Sequence, residues 1–63
     1  MERAVIELTG LYKQVIAVQA RDIVQVFPHR VWTEIVIIGG TIIKVLESGD
    51  EVEAKIKAAE GRT

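Results

Sequence analysis

The twelve residues Ile35-Val36-Ile37-Ile38-Gly39-Gly40-Thr41-Ile42-Ile43-Lys44-Val45-Leu46 decide the fold of this chain. Two β-branched runs flank a glycine pair, which is the pattern of a hairpin. A type I′ turn needs positive φ at both central residues, a conformation glycine adopts without steric cost. Placing Gly39 and Gly40 there predicts that Ile38 faces Thr41, Ile37 faces Ile42, Val36 faces Ile43, Ile35 faces Lys44 and Glu34 faces Val45. Neighbours along a strand point to opposite sides. The predicted register therefore puts Ile35, Ile37 and Ile42 on one face and Val36, Ile38, Ile43 and Val45 on the other. Both faces are apolar, where a small sheet with one wet side should alternate.

The rest of the chain supplies three more short β-branched segments and one change of period. Strands are predicted over about 4–9, 14–18 and 23–27, joined to hairpin strands over about 33–38 and 41–46. Gly10 closes the first, a turn falls near Leu11-Tyr12-Lys13, and Pro28 ends the third because proline has no amide hydrogen for a ladder. After Leu46 the pattern turns helical. Ser48 is a good N-cap, and Glu51 stands at the spacing where each side chain satisfies the other's free amide. Asp50 and Glu51 suit the positive end of a helix dipole. Val52, Ile56 and Ala59 share one face, with Glu53, Lys57 and Glu60 on another, so a helix is predicted over about 49–60, ending near Gly61. The fold class is α+β: a small antiparallel sheet or partly closed barrel of about five strands followed by one C-terminal helix.

Composition limits what such a domain can be. The 63 residues suffice for one domain, 1–63, with no internal linker or low-complexity block. There is no cysteine, which excludes disulfides and thiolate chemistry and fits a reducing compartment. Eight Lys/Arg against nine Asp/Glu give a net charge of −1, without long-range attraction for nucleic acid or an anionic membrane. The longest apolar run is the four residues of a strand, and Glu2 and Arg3 stand where a signal peptide would be turning apolar. A cytoplasmic protein with no membrane span is expected.

One short helix cannot shelter two apolar sheet faces. Val5-Ile6, Val15-Ile16 and Ile23-Val24 repeat the two-sided pattern of the hairpin. Burying an aliphatic side chain is worth roughly 1.5–3 kcal/mol, a large increment beside the total stability of about 5–15 kcal/mol of a typical domain. A homo-oligomer is therefore expected, with Val36, Ile38, Ile43 and Val45 as its interface. A monomeric barrel covered by the helix and long side chains is the competing arrangement.

Several short motifs together resemble the FlbD family of small bacterial flagellar and swarming-motility proteins. They are Leu8-Thr9-Gly10-Leu11, Asp22-Ile23, Thr33-Glu34-Ile35, Gly40, Val45-Leu46-Glu47-Ser48 and Glu51-Val52, with Ile56 one turn on. The resemblance covers most of the chain and implies strands, a glycine turn and a terminal helix, with a motility accessory role. Tyr12-Lys13 and Val31-Trp32-Thr33 depart from that family's usual Asn-Gly and Pro-Asp-Thr. Short proteins of similar pattern also occur in phage genomes.

Chemistry-bearing residues are sparse. His29 is the sole histidine, and a metal site needs three or four convergent ligands. Asp50 and Glu51 are explained by the helix start, and Gly39-Gly40 joins two strands, unlike a phosphate loop. No catalytic residue, metal or cofactor is expected. The loop Phe27-Pro28-His29-Arg30-Val31-Trp32 is different, because large aromatic and arginine side chains anchor protein partners. Phe27, His29, Arg30 and Trp32 are the candidate partner-binding residues; the plainer expectation for Phe27 and Trp32 is that they close the end of the core. The sequence thus points to a non-catalytic, oligomeric assembly or protein-interaction protein. The alternative is a small nucleic-acid-binding regulator using Lys13, Arg21, Arg30 and Lys44, by analogy of size and element order with carbon-storage regulator dimers.

Overall fold

A computed structural model describes residues 4–61; residues 1–3 and 62–63 of the predicted domain lie outside the described residues. The chain runs β1 (Val5–Thr9), β2 (Val15–Gln19), a 3-10 turn at Ala20–Asp22, β3 (Ile23–Pro28), β4 (Thr33–Ile37), β5 (Ile42–Val45) and α1 (Gly49–Glu60). All pairing is antiparallel: β1 with β2 in one sheet, and β3-β4-β5 in a second. The sheets meet where Gly10 bridges Val45 and the Leu46 N–H donates to the Thr9 carbonyl at 2.7 Å. The five predicted strands and the helix are all present, and the 3-10 turn lets the chain cross from one sheet to the other.

The core lies between the two sheets and under the helix. Ile6 and Leu8 of β1, Ala20, Ile35 of β4, Val45 of β5 and Val52 of α1 are buried, with Ile16, Val18, Val26, Ile43, Ile56 and Ala59 packed against them. Ile6 pairs with Val18 and Leu8 with Ile16, so one face of the β1–β2 hairpin is apolar and turned inward. The helix starts as its sequence requires. The Ser48 N–H donates to Glu51 Oε1 at 3.0 Å, and the Glu51 N–H donates to Ser48 Oγ at 3.1 Å.

The hairpin register differs from the predicted one by a single residue. Ile35 faces Ile43, Thr33 faces Val45, Glu34 faces Lys44 and Val36 faces Ile42. The loop has three residues instead of two: the Gly40 N–H donates to the Ile37 carbonyl (3.0 Å) and the Ile37 N–H to the Thr41 carbonyl (2.9 Å). Gly39 and Gly40 take φ of +95° and +92°. Glycine is therefore used as expected, in a different turn. Burial explains the shift. The predicted register sets Lys44 beside Ile35 on the inward face, whereas the observed one turns Lys44 out and brings Ile43 and Val45 in.

The β1–β2 loop contains a strained position. The Lys13 N–H closes a turn on the Gly10 carbonyl at 2.9 Å, and the Gly10 N–H donates to the Gln14 carbonyl at 2.8 Å. Lys13 then sits at φ +66°, a left-handed conformation that costs an L-residue about 1–2 kcal/mol. Its side chain is exposed. Lys13→Gly should accordingly raise the unfolding free energy by about 1 kcal/mol, read as a higher urea midpoint at unchanged slope.

Candidate functional site

The register determines which side chains the three-stranded sheet shows to solvent. Across its outer face run two rows: Gln25, Val36 and Ile42, then Phe27, Glu34 and Lys44. Val24 falls at a bulge between the paired residues Ile23 and Gln25, and Ile38 follows the end of β4. Several of these aliphatic side chains stay in water: Val24 is 57% exposed, Ile38 66% and Ile42 56%. Phe27, 45% exposed, continues the patch toward the β3–β4 turn.

The predicted interface residues therefore divide between two faces. Val36 and Ile38 belong to the outer surface. Val45 is fully buried and Ile43 packs against the core, so neither is available to a partner. Ile42, assigned by the sequence to the inner face, takes their place outside. Glu34 and Lys44 carry the signal for this: two charged side chains that both point to water sit opposite each other and fix the face of every neighbour.

The β3–β4 turn brings two of the four partner-binding candidates, His29 and Trp32, into contact. The His29 N–H donates to the Trp32 carbonyl (2.8 Å), and the two rings stack with centroids 4.9 Å apart. His29 Nε2 donates to Glu34 Oε1 at 3.1 Å, while Lys44 Nζ lies over the Trp32 ring, 5.2 Å from its centroid. Phe27 is exposed on the outer face and Trp32 is half-buried beside the turn, so neither closes the core. Arg30 is exposed at the turn itself. The indole Nε1 of Trp32 is buried without a hydrogen-bond partner among the described residues, and the ring's contacts are with His29 and Lys44.

Beside Trp32 is an open cavity of about 340 Å³, bounded by Pro28, Arg30 and Val31 on one side and Leu46, Ser48 and Asp50 on the other. Its floor is tight: a Cβ on Gly49 would come within 3.1 Å of Pro28. Among the described residues no group of three His, Asp or Glu side chains could hold a metal ion. No helix among them is long and apolar enough to cross a membrane.

Glu47, just before the helix, is the polar residue sequence reasoning missed. Its side chain is only 12% exposed. The Thr9 N–H donates to both carboxylate oxygens (2.9 and 3.0 Å), and Thr9 Oγ1 donates to Oε2 (3.0 Å). Lys55 Nζ lies 3.6 Å from Oε2 and donates to the Glu7 carbonyl at 2.7 Å. Thr33 Oγ1 completes the junction by donating to the Glu47 carbonyl at 2.6 Å. Burial pushes the Glu47 carboxyl up; hydrogen bonds from Thr9 and from its own backbone, with the Lys55 charge, outweigh that and hold it below the ordinary carboxylate range. This cluster joins β1, β4 and α1 and is structural. No family model matches the chain, and neither does any curated protein or solved structure.

Proposed function

We propose that this chain is a non-catalytic assembly and protein-interaction protein that works as a homo-oligomer. The observation that carries the proposal is the apolar outer face of β3-β4-β5, where Val24, Ile38 and Ile42 are each more than half exposed. A monomer has no use for such a patch, and covering it returns hydrophobic stabilisation that a chain this short otherwise lacks. The adjoining turn, with Phe27, His29, Arg30 and Trp32, offers aromatic and arginine anchors for a further protein partner. A cytoplasmic setting fits the absence of cysteine.

The motility accessory role comes from the FlbD resemblance. In that resemblance falls the Val45-Leu46-Glu47-Ser48 step, which is where this chain fastens its helix to both sheets. The nucleic-acid alternative draws on Trp32 with Arg30 and Lys44 nearby, but Glu34 lies in the same cluster and the net charge of −1 weakens any phosphate attraction. Native mass spectrometry at micromolar concentration should report a multiple of the 7.0 kDa chain mass. A monomer over that range ends the assembly proposal, and a salt-sensitive gel shift on mixed RNA or DNA would favour the alternative.

A further inference from the structure

We propose that two copies of this chain pack face to face through the outer surfaces of their three-stranded sheets, about a twofold axis running along the strands between β4 and β5. The inference rests on the oligomeric reading above and specifies its surface and symmetry. A twofold interface must be self-complementary, since each patch meets itself. Reversing the strand order about this axis sets Val36 of one copy over Ile42 of the other, and Glu34 over Lys44 of the other. Each contact occurs twice. Apolar groups meet apolar groups, and each charge meets its opposite.

Charge placement within one copy supports this arrangement. Glu34 and Lys44 are cross-strand partners, yet among the described residues no ion pair joins them. Glu34 is turned to His29 and Lys44 to the ring of Trp32. An axis at right angles to the strands through Val36 would instead lay Glu34 against Ile38 of the second copy, burying a carboxylate on an aliphatic group. Stacked sheets twist relative to each other by about 30°, so only central rows stay in contact, and here the two central rows are the complementary ones. Ile38 then flanks them at the end of β4, and Phe27, on β3, stays outside the overlap of the two copies.

The other exposed sheet face lacks such complementarity. On the outside of β1–β2, Val5 faces Gln19 at one end and Val15 faces Thr9 at the other, with Glu7 opposite Ala17 between them. Its apolar groups are separated. A net charge of −1 on each copy adds little repulsion to either arrangement.

The test is a charge reversal read by sedimentation or native mass spectrometry, with circular dichroism to confirm folding. Glu34→Lys and Lys44→Glu each create two like-charge contacts across the axis and should weaken dimerisation by about tenfold or more. The double variant Glu34→Lys/Lys44→Glu restores opposite charges and should return to within about threefold of wild type. Ile42→Lys, at an exposed position, should give a folded monomer, and Val15→Lys should leave the dimer intact. A dimeric wild type that ignores the charge reversals and Ile42→Lys, or that is dissociated by Val15→Lys, keeps the oligomer but overturns this interface. A monomeric wild type overturns both.

Discussion

Glu47→Ala is expected to lower the unfolding free energy by about 3 kcal/mol, because hydrogen bonds to a charged acceptor are worth about 1.5–3 kcal/mol each and a half-buried Thr9 N–H is left unpaired. A chain of this length has roughly 3–9 kcal/mol in all, so the loss is a large share of the total. The carboxylate receives the Thr9 N–H and hydroxyl, while its backbone carbonyl receives Thr33 Oγ1. One residue therefore fixes the angle at which β1, β4 and α1 meet. The effect should appear as a lower urea midpoint for the folded chain.

The same residue sets an acid dependence whose sign follows from linkage. The folded Glu47 carboxyl is held below its ordinary value, so the folded state binds its proton less readily than the unfolded state. Its contribution is fully present above the unfolded glutamate pKa and is lost as pH falls through the lower folded value. Urea melts over a falling pH series should show wild type losing stability in that window. Glu47→Gln, less stable at neutral pH, should lose this part of the slope. Equal slopes in the two proteins would show that Glu47 is not the group whose protonation loosens the junction.

Locally encoded features were legible in the sequence, and those set by distant partners were not. The Ser48-to-Glu51 cap is a four-residue pattern that forms wherever a helix begins, and Pro28 ends a strand in any context. Glu47 takes its importance from Thr9, 38 residues away, and no spacing rule connects them. The crossing between sheets at Ala20–Asp22 and the bulge at Val24 similarly depend on how the sheets close over the core. The candidate surface was half legible. Val36 and Ile38 do face outward, and His29 meets Trp32 because a tight turn folds them together. Ile43 and Val45 face inward, against the two-residue turn that Gly39-Gly40 favours, because the charged pair Glu34 and Lys44 constrains the register more strongly.

That register has a direct test in adjacent parts of β5. Val45→Lys is expected to unfold the chain, since Val45 is fully buried and an unpaired ammonium there costs more than about 4 kcal/mol. The milder Val45→Ala should lower stability by about 2–3 kcal/mol through lost transfer energy and a residual cavity. Ile42→Ala, made in the same strand at a position 56% exposed, should cost less than about 1 kcal/mol in the monomer. A two-residue turn at Gly39-Gly40 predicts the reverse ranking, because it places Ile42 opposite Ile37 on the inward face and sends Val45 outward. Thermal melts at concentrations low enough to dissociate any oligomer separate the two registers: a larger loss for Ile42→Ala than for Val45→Ala would mean that turn preference outweighs burial, and that Lys44 has some means of facing the core.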